Sequence, residues 1–165
     1  MSIVVVTGIG PRSGTSFVMK KAKDAGLPIL GEAFSRITVP KHNPDGYWEC
    51  PTSDPAELDN NISKIWYSTL VTLDPSLISA VVVLERKDKL AQMHSIYKVF
   101  KDECKVWPVF ARLLDPCDAL YEHMTDLNKW LNQLDQNKVM RVYTEDLDSE
   151  ISSILSFLER GLKWA

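Results

Sequence analysis

Ile3-Val-Val-Val-Thr-Gly-Ile-Gly-Pro-Arg-Ser-Gly-Thr-Ser16 is the stretch on which the fold turns. Ile3 to Thr7 is an unbroken β-branched run, the pattern of a strand buried on both faces. Gly8 to Pro11 breaks it. From Gly14 to Ala25 the spacing turns helical, with Phe17, Val18 and Ala22 on one side, and Gly26 closes the helix as a C′ residue. A strand, a glycine-rich turn and a helix start make an anion site. Glycines let backbone amides approach the anion, the first helical turn points unpaired N–H groups at it, and the helix dipole adds favourable potential. Ser13, Thr15 and Ser16 add hydroxyl donors, and Arg12 adds a permanently charged planar fork suited to phosphate or sulfate oxygens. The plainer reading is a turn with an exposed Arg and an ordinary cap. Coincidence of so many small and hydroxyl residues with a strand-to-helix junction favours the anion site.

Outward from this unit, Leu27 to Leu30, Ala80 to Leu84 and Val139 to Tyr143 read as further strands. Ala33 to Pro55, rich in proline, glycine and polar residues, reads as a long surface excursion. Ala56 to Leu73 is expected to be helical, with Leu58, Ile62, Ile65, Trp66 and Leu70 near one face. Leu90, Met93, Tyr97 and Phe100 stripe a later helix, with His94 close to that stripe and Ser95 roughly opposite it. Leu120, Met124, Leu127, Trp130, Leu131 and Leu134 stripe another, and Leu147, Ile151, Ile154, Leu155 and Leu158 the last. Strands separated by helices predict one α/β domain over residues 1–165. Its expected architecture is a three-layer P-loop-type sandwich: a mainly parallel sheet of four or five strands with helices on both faces. Ligands in such folds bind at the carboxyl ends of the strands, after Thr7, Leu30, Leu84 and Tyr143.

The chain of 165 residues has 45% hydrophobic and 25% charged residues, ordinary values for a globular protein. Its 19 Lys and Arg against 22 Asp and Glu give a net charge of −3, which disfavours nucleic acid as a partner. Ile3 to Val6 is too short to span a bilayer and lacks a basic lead-in, so a cytoplasmic protein with neither signal peptide nor membrane anchor is expected. Cys50, Cys104 and Cys117 form no CxxC pair, and His42, His94 and His123 lie far apart, so no metal site is expected.

The loop departs from GxxxxGK[ST], the pattern of nucleoside-triphosphate-binding loops. Ile9 occupies the first glycine position and Thr15 the lysine position. Pro11-Arg-Ser-Gly-Thr-Ser16 after a buried strand instead resembles the 5′-phosphosulfate loop of sulfotransferases, especially the tyrosylprotein and bacterial branches. Three further segments agree in order. Asn43-Pro-Asp-Gly-Tyr-Trp-Glu49 is similar to the bacterial NPxGYxE stretch. Val81 to Ser95 resembles the strand, Arg and Ser that hold a 3′-phosphate, and Val142-Tyr-Thr-Glu-Asp-Leu147 is similar to the YEDL strand end.

The resemblance implies the donor 3′-phosphoadenosine 5′-phosphosulfate (PAPS) and sulfuryl transfer to a hydroxyl or amine of a small-molecule or glycan acceptor, without a metal. Pro11, Arg12, Ser13, Gly14, Thr15 and Ser16 would wrap the 5′-phosphosulfate, with Arg12 steadying the leaving oxygen. Arg86 and Ser95 would hold the 3′-phosphate, helped by Lys87 and Lys89. The sequence also departs from the family. Ser95 follows Arg86 by nine residues where eight is usual, Thr144 interrupts the Tyr-Glu-Asp order, and the C-terminal Arg-Lys-Gly segment of cytosolic members has no clear counterpart. The slot where some branches carry a basic His is empty, so Glu32, in a Gly-Glu element after the second strand, is the first candidate general base and His42 the second. Glu145 and Asp146 are expected to support the strand end and cap the last helix. Trp48 and Tyr47 are candidates for the acceptor pocket or an adenine stack, although packing is the commoner role of such rings. Two rival readings stay open: a nucleoside or nucleotide kinase, and a non-catalytic nucleotide-binding protein.

Overall fold

The computed structural model describes residues 1–10, 12–31, 46, 48, 50, 52–103 and 116–163. Five parallel strands form one sheet in the order β2-β3-β1-β4-β5. They are β1 (Ile3–Gly8), β2 (Ile29–Leu30), β3 (Asn61–Lys64), β4 (Ile78–Glu85) and β5 (Val139–Tyr143). The helices are α1 (Thr15–Asp24), α2 (Pro55–Leu58), α3 (Tyr67–Leu70), α4 (Lys89–Glu103), α5 (Pro116–Leu131) and α6 (Leu147–Leu162). β1 is central, with Val6 opposite Lys64 on one side and Gly8 opposite Leu84 on the other.

The β-branched run is buried because helices cover both faces of the sheet. Ile3, Val5, Val81 and Val83 pack against Leu58 of α2, Leu70 of α3 and Leu127, Trp130 and Leu131 of α5. Val4, Val6, Val82 and Leu84 pack against Val18 and Met19 of α1 and Ile154, Phe157 and Leu158 of α6. Each fully buried aliphatic side chain contributes about 1.5–3 kcal/mol. This is the three-layer α/β sandwich expected from the sequence, with an all-parallel sheet of five strands. Gly26 has φ +77°, and its N–H bonds the Lys23 carbonyl at 2.9 Å, ending α1 as predicted. No helix among the described residues is long and apolar enough to cross a membrane.

One local expectation fails and a second holds only in part. Ala56 to Leu73 is not one helix, since α2, β3 and α3 share it. Asn60, at φ +57°, turns the chain so that β3 enters the sheet between β1 and β2. Sheet pairing satisfies the backbone there, and the apolar spacing that mimicked a helix instead serves three short elements. In α4 the predicted stripe holds only in part: Met93 packs against the core and the side chains of Tyr97 and Phe100 lie outside the described ones, but Leu90 is 67% exposed while Gln92 and Ile96 are buried. Gln92 goes inside because its Nε2 donates to the Ile9 carbonyl at 2.8 Å, satisfying a loop acceptor. His94 is exposed rather than packed.

Candidate anion-binding site

The chain leaves β1 toward β2 and leaves β4 toward β5, so the connections from these two paired strands run to opposite sides of the sheet. Such a reversal opens the crevice where α/β folds bind ligands. The loop between β1 and α1 lies on one side of this crevice, and Arg86 follows β4 on the other.

The loop is tightly turned. A Cβ at Gly8 would lie 2.8 Å from Ser13 Cβ. Arg12 sits at φ 65° and Gly14 at φ 89°. For Arg this left-handed conformation costs about 1–3 kcal/mol and persists only where surrounding contacts impose it. Those contacts are visible. Arg12 Nε donates to Ser95 Oγ at 3.1 Å, and Thr144 Oγ1 lies 2.6 Å from the Ser13 carbonyl and 2.9 Å from the Glu85 carbonyl. Thr144 thus links the loop, the end of β4 and the start of α6. Gly14 is the N-cap of α1; among the described residues no side chain caps that helix, and no acid stands in its first turn.

A cation not singled out in the sequence joins this group. Lys64 ends β3 and is 7% exposed. Its Nζ reaches Ser16 Oγ at 3.4 Å and stands 5.8 Å from the centre of the Trp66 ring. The expected helix over Ala56 to Leu73 concealed it, because on a helix Lys64 is only a surface charge. The turn signal Asp59-Asn60-Asn61 was the clue to the break.

The remaining candidates are distributed as follows. Ser13 is buried, and Gly14, Thr15 and Ser16 are half-buried at the start of α1. Ser95 meets Arg12, whereas Arg86 faces Glu145, with Nε 3.9 Å from Oε1. Glu145 also accepts from the backbone N–H groups of Lys87 at 3.0 Å and Asp88 at 3.5 Å. Burial acts to raise its pKa, but these amides, its own N–H and the Arg86 charge outweigh that and hold it below the usual carboxylate value. Asp146 does not cap α6 with its side chain; it pairs with Lys87 Nζ at 2.8 Å. Lys89 Nζ is buried without a hydrogen-bond partner. Trp48 is 5% exposed and packs with the α1 and α6 face of the core, Lys23 Nζ 4.8 Å from its ring centre, so it serves packing rather than an open pocket. Pro11, Glu32, His42 and Tyr47 lie outside the described residues, and no cluster of potential metal ligands occurs within them.

The arrangement places an uncapped helix start, hydroxyls and two cations at the carboxyl edge of β1 and β3, which is the chemistry for gripping a phosphate or sulfate ester. No family model matches the chain, and neither does any curated protein.

Proposed function

We propose that the protein is a sulfotransferase-like enzyme that moves a sulfuryl group from PAPS to a hydroxyl or amine acceptor. The observation that carries this reading is the convergence of Arg12, Ser95, Lys64 and Ser16 around the uncapped start of α1. Sulfuryl transfer, like phosphoryl transfer, needs in-line positioning and charge stabilisation more than covalent chemistry from the protein. Two fixed cations and a helix terminus supply both, and the loop lacks the GK[ST] lysine expected of a triphosphate kinase. The residues fit the donor. The start of α1 and the Ser13, Thr15 and Ser16 hydroxyls hold the 5′-phosphosulfate, while Arg12 and Lys64 offset charge on the oxygen that keeps the electrons of the broken S–O bond. The acceptor oxygen or nitrogen forms the new bond to sulfur and gives its proton to a base, for which Glu32 and His42 are the candidates.

The test is binding followed by transfer. Adenosine 3′,5′-bisphosphate should raise the melting temperature more than ATP or GTP does, because a ligand of the native state stabilises it by mass action. Radiolabelled donor should then pass its sulfuryl group to a member of an acceptor panel. ATP-dependent phosphorylation of a small substrate would overturn the reading in favour of a kinase. Tight bisphosphate binding with no transfer to any acceptor would favour a binding protein.

A further inference from the structure

The β4 to α4 turn presents two backbone N–H groups, of Lys87 and Asp88, beside the Arg86 guanidinium. Adjacent amides with a guanidinium make an anion nest. An internal anion already fills it: Glu145 takes the Lys87 N–H on Oε2 at 3.0 Å and the Asp88 N–H on Oε1 at 3.5 Å. Its approach to Arg86 is looser, at 3.9 Å, and Arg86 Nε is buried without a hydrogen-bond partner. A carboxylate whose purpose was to orient Arg86 would grip its fork at hydrogen-bonding distance. This one instead takes the amides. Glu145 sits on the short 3-10 turn Thr144–Asp146, and about a third of its side chain faces solvent. It can therefore swing into water without burying its charge.

We propose that Glu145 is an internal competitor that sets specificity: a second phosphate on the bound nucleotide reaches Arg86 and the Lys87 and Asp88 amides only by displacing the Glu145 carboxylate. This rests on the nucleotide reading above and adds to it a residue that weakens discrimination between a 3′,5′-bisphosphate and a 5′-monophosphate. The displaced carboxylate hydrates as the phosphate takes its amides, an exchange of hydrogen bonds in which no covalent bond changes.

Calorimetric titration of the full chain with adenosine 3′,5′-bisphosphate and adenosine 5′-phosphate tests it. Glu145→Gln should raise the bisphosphate-to-monophosphate affinity ratio by about tenfold, the scale of one charge-assisted contact. Glu145→Asp, with a shorter reach, should give part of that gain, and adding Arg86→Gln to Glu145→Gln should abolish it. An unchanged ratio in both single variants overturns the competitor while leaving the nucleotide reading intact. A lower ratio in Glu145→Gln also overturns it, showing that Glu145 orients Arg86. Failure of wild type and variants to bind either nucleotide overturns both readings.

Discussion

Arg12 Nε donates to Ser95 Oγ at 3.1 Å, tying a residue in the left-handed conformation before α1 to the second turn of α4. This contact joins two segments 83 residues apart and holds the guanidinium beside the start of α1. Arg12→Ala should lower turnover by about two to three orders of magnitude, the scale of losing one donor that stabilises transition-state charge. Ser95→Ala should act mainly on donor affinity. Release of the 3′,5′-bisphosphate under steady-state conditions measures both. Wild-type turnover in Arg12→Ala would remove this residue from the chemistry.

Lys64 brings a cation from the end of β3 to the start of α1. The residue is 7% exposed, with its Nζ 3.4 Å from Ser16 Oγ. Lys64→Met fills the same space without charge. Bisphosphate affinity should fall by about 1.5–3 kcal/mol, the range for a charged hydrogen bond. Equal affinity in the variant would make Lys64 purely structural.

Gly161 is where α6 comes closest to the sheet. A Cβ there would lie 2.5 Å from Ala80 Cβ and 3.1 Å from Val4 Cγ2, in the middle of β4 and β1. The Gly161 carbonyl also accepts from Ser2 Oγ at 2.7 Å, so the helix cannot drift away freely. Gly161→Ala should cost about 1–3 kcal/mol in denaturant unfolding, the usual penalty of overpacking. At Gly26, by contrast, a Cβ meets nothing within 4 Å; Gly26→Ala is opposed only by φ +77°, and Asn, which tolerates that region, should cost less than Ala.

Acid should expose the Glu145 contacts. Its pKa is below the ordinary 4.5 in the folded state. A depressed carboxylate stabilises the fold above its unfolded pKa, and that contribution is lost as pH falls through the folded one. Urea midpoints measured from pH 7 down to pH 3 should therefore fall less steeply for Glu145→Gln than for wild type below about pH 4.5. Parallel curves would mean that the Lys87 and Asp88 contacts do not persist in solution.

The Ile3 to Thr7 run and the turn that follows it were legible without coordinates, because a strand buried on both faces and a glycine-rich helix entry are local patterns. The same holds for Gly26 and for the stripe Leu127, Trp130 and Leu131, whose periodicity matches the face they bury. The Asp59-Asn60-Asn61 turn marked a break in the expected helix, but periodicity could not reveal β3. Four residues are too few for a period to declare itself, and their conformation is set by hydrogen bonds to β1 and β2. Lys64 was hidden for that reason. Gln92 is buried in α4 while Leu90 is exposed, because Gln92 Nε2 donates to the loop carbonyl of Ile9, a contact no local pattern announces. Amino-acid order alone thus determined the α/β architecture and the loop that opens α1. Tertiary structure decided which charges surround that loop, giving Ser95 to Arg12, Lys64 to Ser16 and Glu145 to the turn after β4. Periodicity is written between neighbours along the chain, whereas charge pairing depends on distances that exist only once distant strand ends share an edge.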